Sequence, residues 1–266
     1  MENQKTYTLI TGGSTGIGLE LAKLFAKDGH HLILVARDEN ELSKAADELK
    51  SIGDIEVITI SKDLFHMEQA YELHQEITQR NLTVDILVNN AGHGWYGEFK
   101  DTDLEMELKI IHLNICSLVI ITKRFLKDML SRGSGKILNT SSIAARFPGP
   151  WQSVYHGTKA FVQSFTEAIG AEVKEQGIVV TALLPGPTDT DFFNKAQMLE
   201  SKVMDNKMSD PADVAKAGYE ALMKGDDMVV AGLKNKMQAA QSAITPDSKL
   251  AEKTYKDQAP KDESGT

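Results

Sequence analysis

Six short, largely apolar, β-prone runs recur along the chain: Tyr7 to Ile10, His31 to Val35, Val57 to Ile60, Ile86 to Val88, Lys136 to Asn139 and Val179 to Leu184. Between them lie longer stretches with helical spacing, at Gly18 to Asp28, Glu39 to Ile52, Met67 to Gln79, Leu104 to Met129 and Ser153 to Glu175. Strands that alternate with helices cannot pair as hairpins, so the pattern predicts repeated βαβ units and a parallel sheet. Leu32-Ile33-Leu34-Val35 is apolar at every position, as expected where helices cover both faces of a sheet. The predicted fold is therefore α/β, a doubly wound parallel sheet. After Asp210-Pro211-Ala212-Asp213 one more helix is expected to about Met223, and Met228-Val229-Val230-Ala231 can form a final strand.

A chain of 266 residues fits one such domain, expected here over 1–244. From Thr245 onward the sequence TPDSKLAEKTYKDQAPKDESGT is charged and poor in large apolar residues, so 245–266 is expected to be a mobile polar tail. The formal charge of −9 opposes binding to a polyphosphate backbone, and no nucleic-acid partner is expected. The single cysteine, Cys116, sits in an apolar run and is expected to be a buried, reduced thiol. No basic segment followed by a long apolar core opens the chain, and no stretch reaches the roughly 18 apolar residues a membrane span needs. A cytoplasmic protein without a membrane span is the expectation.

The first strand runs into Thr11-Gly12-Gly13-Ser14-Thr15-Gly16-Ile17-Gly18, and an amphipathic helix follows. Glycines at 12, 16 and 18 permit a tight turn and close approach of a pyrophosphate, while the next helix offers free N–H groups and a favourable dipole. Phosphate binding is the expected use. The match to T-G-x-x-x-G-x-G at Thr11, Gly12, Gly16 and Gly18 resembles the short-chain dehydrogenase/reductase family. Asn89-Asn90-Ala91-Gly92 after the fourth strand is similar to that family's N-N-A-G element, and Pro185-Gly186-Pro187-Thr188 to its P-G-x-x element. The resemblance spans roughly residues 5 to 235.

What the resemblance implies is a Rossmann-type fold binding a nicotinamide dinucleotide through Gly12, Ser14, Thr15, Gly16, Ile17 and Gly18. Asp63 is implied to contact adenine, with Leu64 as a backbone contact. Asn90, Ala91 and Gly92 are placed beside the cofactor, and Pro185, Gly186 and Thr188 at the nicotinamide. At the end of the second strand, Val35-Ala36-Arg37-Asp38 puts Ala36 where NAD-dependent members carry aspartate and Arg37 where NADP-dependent members carry a basic residue. NADP(H) is the expected cofactor, with NAD(H) possible if Asp38 takes the ribose instead.

Tyr155 and Lys159 lie four apart in a helical stretch and so share a face. Spacing alone does not select them, because Tyr96 and Lys100 repeat it in a glycine-containing segment that reads as a loop. The family pattern selects Tyr155 and Lys159, takes Ser142 rather than Ser141 thirteen residues before the tyrosine, and matches Asn114 on the preceding long helix. Lys159 and Tyr155 are also implied to contact the cofactor.

These residue types suit carbonyl reduction, in which a proton donor must reach the carbonyl oxygen. Tyr155 would be that acid, Lys159 would lower its pKa, Ser142 would stabilise a developing alkoxide, and Asn114 would hold a water linking Lys159 to solvent. His93, His112 and His156 lack the spacing of a zinc site, so no metal is expected.

Trp95, Tyr96, Phe147, Trp151, Phe192 and Phe193 are candidates for an aromatic rim suited to an apolar ketone or 3-oxoacyl-type substrate. Overall the chain looks most like general bacterial short-chain reductases akin to 3-oxoacyl-CoA reductases and 17β-hydroxysteroid dehydrogenases. The resemblance also implies a homodimer or homotetramer through the two long helices. The alternatives are a non-catalytic dinucleotide-binding redox sensor or scaffold, which the full set Asn114, Ser142, Tyr155 and Lys159 argues against, and an epimerase or dehydratase, for which a longer chain is expected.

Overall fold

The computed structural model describes residues 5–261. Seven strands form one sheet: β1 Thr6–Thr11, β2 His31–Ala36, β3 Val57–Ser61, β4 Thr83–Asn89, β5 Gly135–Thr140, β6 Ile178–Leu184 and β7 Met228–Val230. Their order is β3-β2-β1-β4-β5-β6-β7, and every neighbouring pair is parallel. The direction of winding reverses between β1 and β4, which opens a crevice at the carboxyl ends of those strands.

Side-chain alternation along each strand explains why the sequence reads as unbroken apolar runs. Leu9, Ile33, Leu87, Ile137 and Val180 enter one core with Leu73, Phe125 and Ile169. Those three belong to α3 Met67–Gln79, α5 Leu118–Arg132 and α6 Ser153–Val173. The adjacent residues Ile10, Leu32, Leu34, Val88 and Leu138 enter the opposite core with Leu21, Phe25, Leu42 and Leu222. Those come from α1 Gly16–Lys27, α2 Glu39–Lys50 and α8 Pro211–Lys224. Both faces are covered, so both sets of alternating positions must be apolar.

One polar group interrupts the first core. Asn89 and Asn139 are partners in the β4–β5 register, and Asn89 Nδ2 donates to Asn139 Oδ1 at 2.9 Å and to Thr122 Oγ1 of α5 at 2.9 Å. Asn139 Nδ2 continues the chain to Thr166 Oγ1 of α6 at 3.0 Å.

The structure departs from expectation in three places. The helix expected from Leu104 to Met129 is divided into α4 Leu104–Ile111, a widened π-helical turn His112–Ser117, and α5. Cys116, expected to be buried, is half-buried on that turn, whose Leu113, Asn114 and Ser117 face inward.

The third departure is the segment expected to be a mobile tail. After α7 Phe192–Lys195 and α9 Leu233–Ser242, residues Asp247–Gln258 form α10, which docks. Its anchors are polar, which composition does not register. The Gln258 carbonyl accepts from Tyr96 Oη at 2.6 Å and Ser201 Oγ at 3.0 Å, the Tyr255 carbonyl accepts from Trp151 Nε1 at 3.2 Å, and Thr254 and Gln258 are buried. Residues 262–266 of that expected tail lie outside the described residues. Among the described residues no helix is long and apolar enough to cross a membrane.

Candidate active site

The glycine turn is built so that its own backbone closes on itself. Gly12 and Gly16 have φ of +63° and +55°, a region that side chains disfavour. A Cβ at Gly18 would stand 2.0 Å from the Gly12 carbonyl oxygen and 2.6 Å from Asn90 Nδ2, so α1 can begin this close to β1 only without a side chain there. Thr11 Oγ1 accepts from the N–H groups of Asn90 and Ala91 at 3.0 and 3.1 Å, and Asn90 Nδ2 donates to the Gly12 carbonyl at 3.1 Å. These bonds tie the loop after β1 to the loop after β4. The result is a cradle of exposed backbone at a helix N-terminus, the shape and polarity that a dinucleotide pyrophosphate requires.

A continuous cleft of about 1500 Å³ runs from this turn across the carboxyl edge of the sheet. It brings together Gly12, Ser14, Thr15, Gly16, Ile17, Arg37, Asp63, Leu64, Asn90, Ala91, Gly92, Ser142, Tyr155, Lys159, Pro185, Gly186 and Thr188. Of the candidate residues, Gly18 and Asn114 are not on its wall: Gly18 supports the turn from behind, and Asn114 is buried under it.

At the far end of β2 the Arg37 guanidinium lies over the Phe65 ring, 4.9 Å from its centroid. Asp38, the rival for the ribose, has another task. Its Oδ1 accepts from the N–H groups of Asn40 and Glu41 at 2.8 and 3.0 Å, capping α2. Ser14 donates to Glu41 Oε2 at 3.1 Å, and Asp63 Oδ1 accepts from the Phe65 N–H at 3.1 Å.

At the other end, Tyr155 and Lys159 stand on the first turns of α6. The Lys159 side chain is buried and donates through Nζ to the Thr140 carbonyl at 2.9 Å. Its Nζ lies 5.8 Å from the Tyr155 ring centroid, and a Cβ on Gly92 would come within 3.2 Å of it. Glycine at 92 thus leaves room for the ammonium. Ser141 donates to the Lys159 carbonyl at 2.7 Å, which ties it to α6. Ser142 instead hydrogen-bonds the Tyr155 phenol, caps the following turn by accepting from the Ala144 N–H at 3.1 Å, and reaches the Pro185 carbonyl at 3.4 Å. The two adjacent serines therefore have different roles, and only Ser142 meets the tyrosine.

The π-helical turn carries Asn114 inward. Its Oδ1 accepts from the His93 N–H at 3.0 Å, and its Nδ2 donates to the His93 carbonyl at 2.9 Å and to Thr158 Oγ1 at 3.0 Å. Asn114 so clamps the loop after Gly92 to α6. Regular helix would rotate later residues past this position, which is a reason for the extra residue in the turn.

Electrostatics differ from the sequence-based expectation. Burial pushes Tyr155 up to about 12, with the Ser142 hydrogen bond pulling the other way, so the phenol is a proton donor at neutral pH rather than a group already lowered by Lys159. Burial also brings Lys159 down to about 8. Between about pH 8 and 10.5 the unfolded chain then holds more protons at this lysine than the folded one, and stability rises with pH through that window. Two and a half pH units correspond to about 3 kcal/mol. Lys159→Met is accordingly expected to melt higher than wild type at pH 7, with the gap narrowing by pH 10. Thermal melts at the two pH values test this, and a gap that is absent or widens would mean Lys159 carries no such penalty.

His156 is buried and held neutral by desolvation. Its Nδ1–H donates to the Phe147 carbonyl at 3.0 Å, leaving Nε2 to accept from Gln258 Nε2 at 3.2 Å. His93 is likewise lowered by burial and donates from Nδ1 to the Gly94 carbonyl. Of the aromatic candidates, Phe147, Phe192 and Phe193 line the cleft, and Phe192 packs against Tyr155 with ring centroids 5.3 Å apart. Trp95, Tyr96 and Trp151 do not line it; Tyr96 stacks on Trp151, which in turn meets Tyr255 of α10. The rival pair Tyr96 and Lys100 is separated by function: the Tyr96 hydroxyl is bonded to Gln258 and Lys100 to Glu98 on the surface. Sequence reasoning missed Gln152 and Gln258, two buried amides beside the cleft, because isolated glutamines in polar segments give no signal.

The short chain dehydrogenase profile matches residues 6–200. This chain belongs to that family. Among its relatives, the Dehydrogenase/reductase SDR family member 7B of Danio rerio is 33% identical over 242 residues, covering 86% of this chain and 78% of the relative. Among solved structures, the short-chain dehydrogenase from Sphingobium yanoikuyae in complex with NADPH superposes with a TM-score of 0.81 at 28% identity, covering 90% of this chain and 93% of that one. The bulky-bulky ketone specific alcohol dehydrogenase from Comamonas testosteroni superposes with a TM-score of 0.76 at 26% identity, covering 91% and 94%. As a short-chain dehydrogenase/reductase, the chain is an NAD(P)-dependent oxidoreductase.

Proposed function

We propose that this short-chain dehydrogenase transfers a hydride between NADP(H) and a carbonyl or secondary alcohol, the substrate being an apolar ketone or a 3-oxoacyl-type compound. The observation that carries the reading is the meeting of Tyr155, Ser142 and Lys159 in one cleft with the glycine cradle. With its pyrophosphate in that cradle, NADP(H) would supply or accept the hydride through its nicotinamide. Tyr155 donates the proton to the carbonyl oxygen in reduction and takes it back in oxidation. Ser142 turns its hydroxyl from the phenol toward the same oxygen and stabilises its developing charge. Lys159 holds positive charge beside the phenol when that proton leaves, which lowers the cost of the phenolate. Asn114 positions these groups through the His93 peptide and Thr158. Phe147, Phe192 and Phe193 supply the apolar wall for the substrate and exclude water from the reacting oxygen.

NADPH consumption against a panel of ketones, aldehydes, 3-oxoacyl thioesters and steroids tests the reading. Turnover with any of these carbonyl classes supports it, and silence across the panel with intact NADPH binding would favour a redox sensor.

The preference for NADP(H) rests on Arg37, which lines the cleft, and on the engagement of Asp38 in capping α2. A charge-assisted contact to the 2′-phosphate contributes about 1.5 to 3 kcal/mol, so Arg37→Ala is expected to raise KM for NADPH about ten- to a hundredfold and to leave KM for NADH nearly unchanged. Steady-state kinetics with both cofactors check this; equal wild-type affinity for the two, unaltered in the variant, would remove Arg37 from that role. A cytoplasmic location and a homodimer or homotetramer through α5 and α6 belong to the same proposal.

A further inference from the structure

The most exposed large apolar side chains among the described residues lie on or next to one helix: Leu233 at 80%, Met237 at 66% and Ile244 at 86%. The first two are one turn apart on α9 and the third follows its end. The inward face of the same helix is polar or small, with Asn235, Ala239 and Ser242 buried. These inner groups are satisfied locally: Asn235 Nδ2 donates to the Ala231 carbonyl at 2.6 Å and Ser242 Oγ to the Ala239 carbonyl at 2.8 Å. A helix that serves only to cover a core has the opposite arrangement.

The charge around this face is also unusual for the chain. The segment from α9 through α10, residues 233–258, contains Lys234, Lys236, Lys249, Lys253 and Lys256 against Asp247, Glu252 and Asp257, a local excess of two positive charges in a chain of net −9. Leu233, Lys234, Met237, Lys253 and Lys256 also stand on the rim of the cleft. Apolar side chains facing outward, lysines beside them and an active-site mouth between them describe a surface that lies in the headgroup region of a bilayer.

We propose that α9, with Ile244 and the flanking lysines, docks the protein peripherally on an anionic lipid surface, so that the cleft opens toward the membrane. A second copy is a poorer occupant, because a twofold contact would set each lysine cluster against its own image. A substrate tail in the cleft would leave Ile244 and Lys236 uncovered, since neither lines it.

Flotation of the full chain with vesicles tests the proposal without any turnover, so its outcome is separate from that of the redox reading. Wild type is expected to float with vesicles of phosphatidylcholine mixed with phosphatidylglycerol, and much less with phosphatidylcholine alone or at high salt. The triple variant Leu233→Ser, Met237→Ser, Ile244→Ser should lose at least about tenfold in partitioning. Lys234→Gln with Lys236→Gln should lose about fivefold per lysine. Because these side chains are exposed, melting temperatures should stay close to wild type. Absence of flotation at low salt, or flotation unaffected by either set of substitutions, would overturn the proposal. So would a wild-type oligomer that the triple variant dissociates while no form binds vesicles, which would assign the face to a second copy.

Discussion

Tyr155→Phe is expected to lower kcat by about 10²- to 10⁴-fold while leaving NADP(H) affinity within a few fold of wild type. The ring keeps its packing against Phe192 and its place beside Lys159, and only the hydroxyl goes. Ser142 loses one partner but still caps its turn through the Ala144 N–H, so the local backbone has no reason to move. The glycine cradle contains no contact to this hydroxyl. The loss should therefore fall on kcat, because the proton moves in the transition state. Since burial holds the free phenol up at about 12, wild-type alcohol oxidation should also climb steeply with pH, whereas reduction, which uses the protonated form, should not require high pH. Tyr96→Phe is the control, with its hydroxyl bonded to the Gln258 carbonyl outside the cleft wall. Retention of more than about a tenth of wild-type kcat by Tyr155→Phe would dismiss it as the acid.

Gly18→Ala is expected to weaken NADP(H) binding by about a hundredfold or more. The added methyl would stand 2.0 Å from the Gly12 carbonyl oxygen and 2.6 Å from Asn90 Nδ2. Neither atom is the free end of a flexible chain; one is backbone and the other is bonded to that backbone. Either the turn opens or α1 withdraws from β1, and both spoil the cradle at a cost of about 3 kcal/mol. Gly157→Ala is the matched control. A Cβ there meets nothing within 4 Å, and the site is exposed on α6 two residues from Tyr155. Alanine should raise stability there by about 1 kcal/mol through helix propensity. Titration of cofactor fluorescence against both variants separates the cases; undiminished binding by Gly18→Ala would mean the turn is not the phosphate site.

What could be read from the amino acids was whatever repeats or sits at fixed spacing. The strands were legible because both faces of the sheet are buried and each strand therefore carries apolar residues at adjacent positions. Ser142 could be preferred to Ser141 only through a family spacing, and the structure now gives a physical distinction, one hydroxyl bonded to the Lys159 carbonyl and the other to Tyr155. The π-helical turn at Asn114 was not legible, because inserting one residue into a long amphipathic helix leaves its apolar content unchanged. The docking of α10 was hidden for a different reason: Gln258 is held through its main-chain carbonyl and its amide, and a polar anchor looks like a solvated residue until its partners are known. Desolvation, which raises Tyr155 and lowers Lys159, was not legible either, because residue types and spacing do not show what encloses a side chain.

The amide pair Asn89 and Asn139 bears on how the chain finds its alignment during folding. Where adjacent positions are apolar, as at Ile86-Leu87-Val88 of β4 and Ile137-Leu138 of β5, sliding one strand along the other exchanges one oily side chain for another, and burial alone discriminates weakly between offsets. A slip of a single residue would face Asn89 with Leu138 or Thr140 and strand two amides among hydrocarbons, each at a penalty of about 1 to 3 kcal/mol. Because the two side chains also reach Thr122 and Thr166, further bonds reward the correct offset once α5 and α6 have arrived on the sheet. The pair thus acts as a keyed joint whose teeth engage at one setting, and the strands it aligns are those that carry Asn90 and Ser142 into the same crevice.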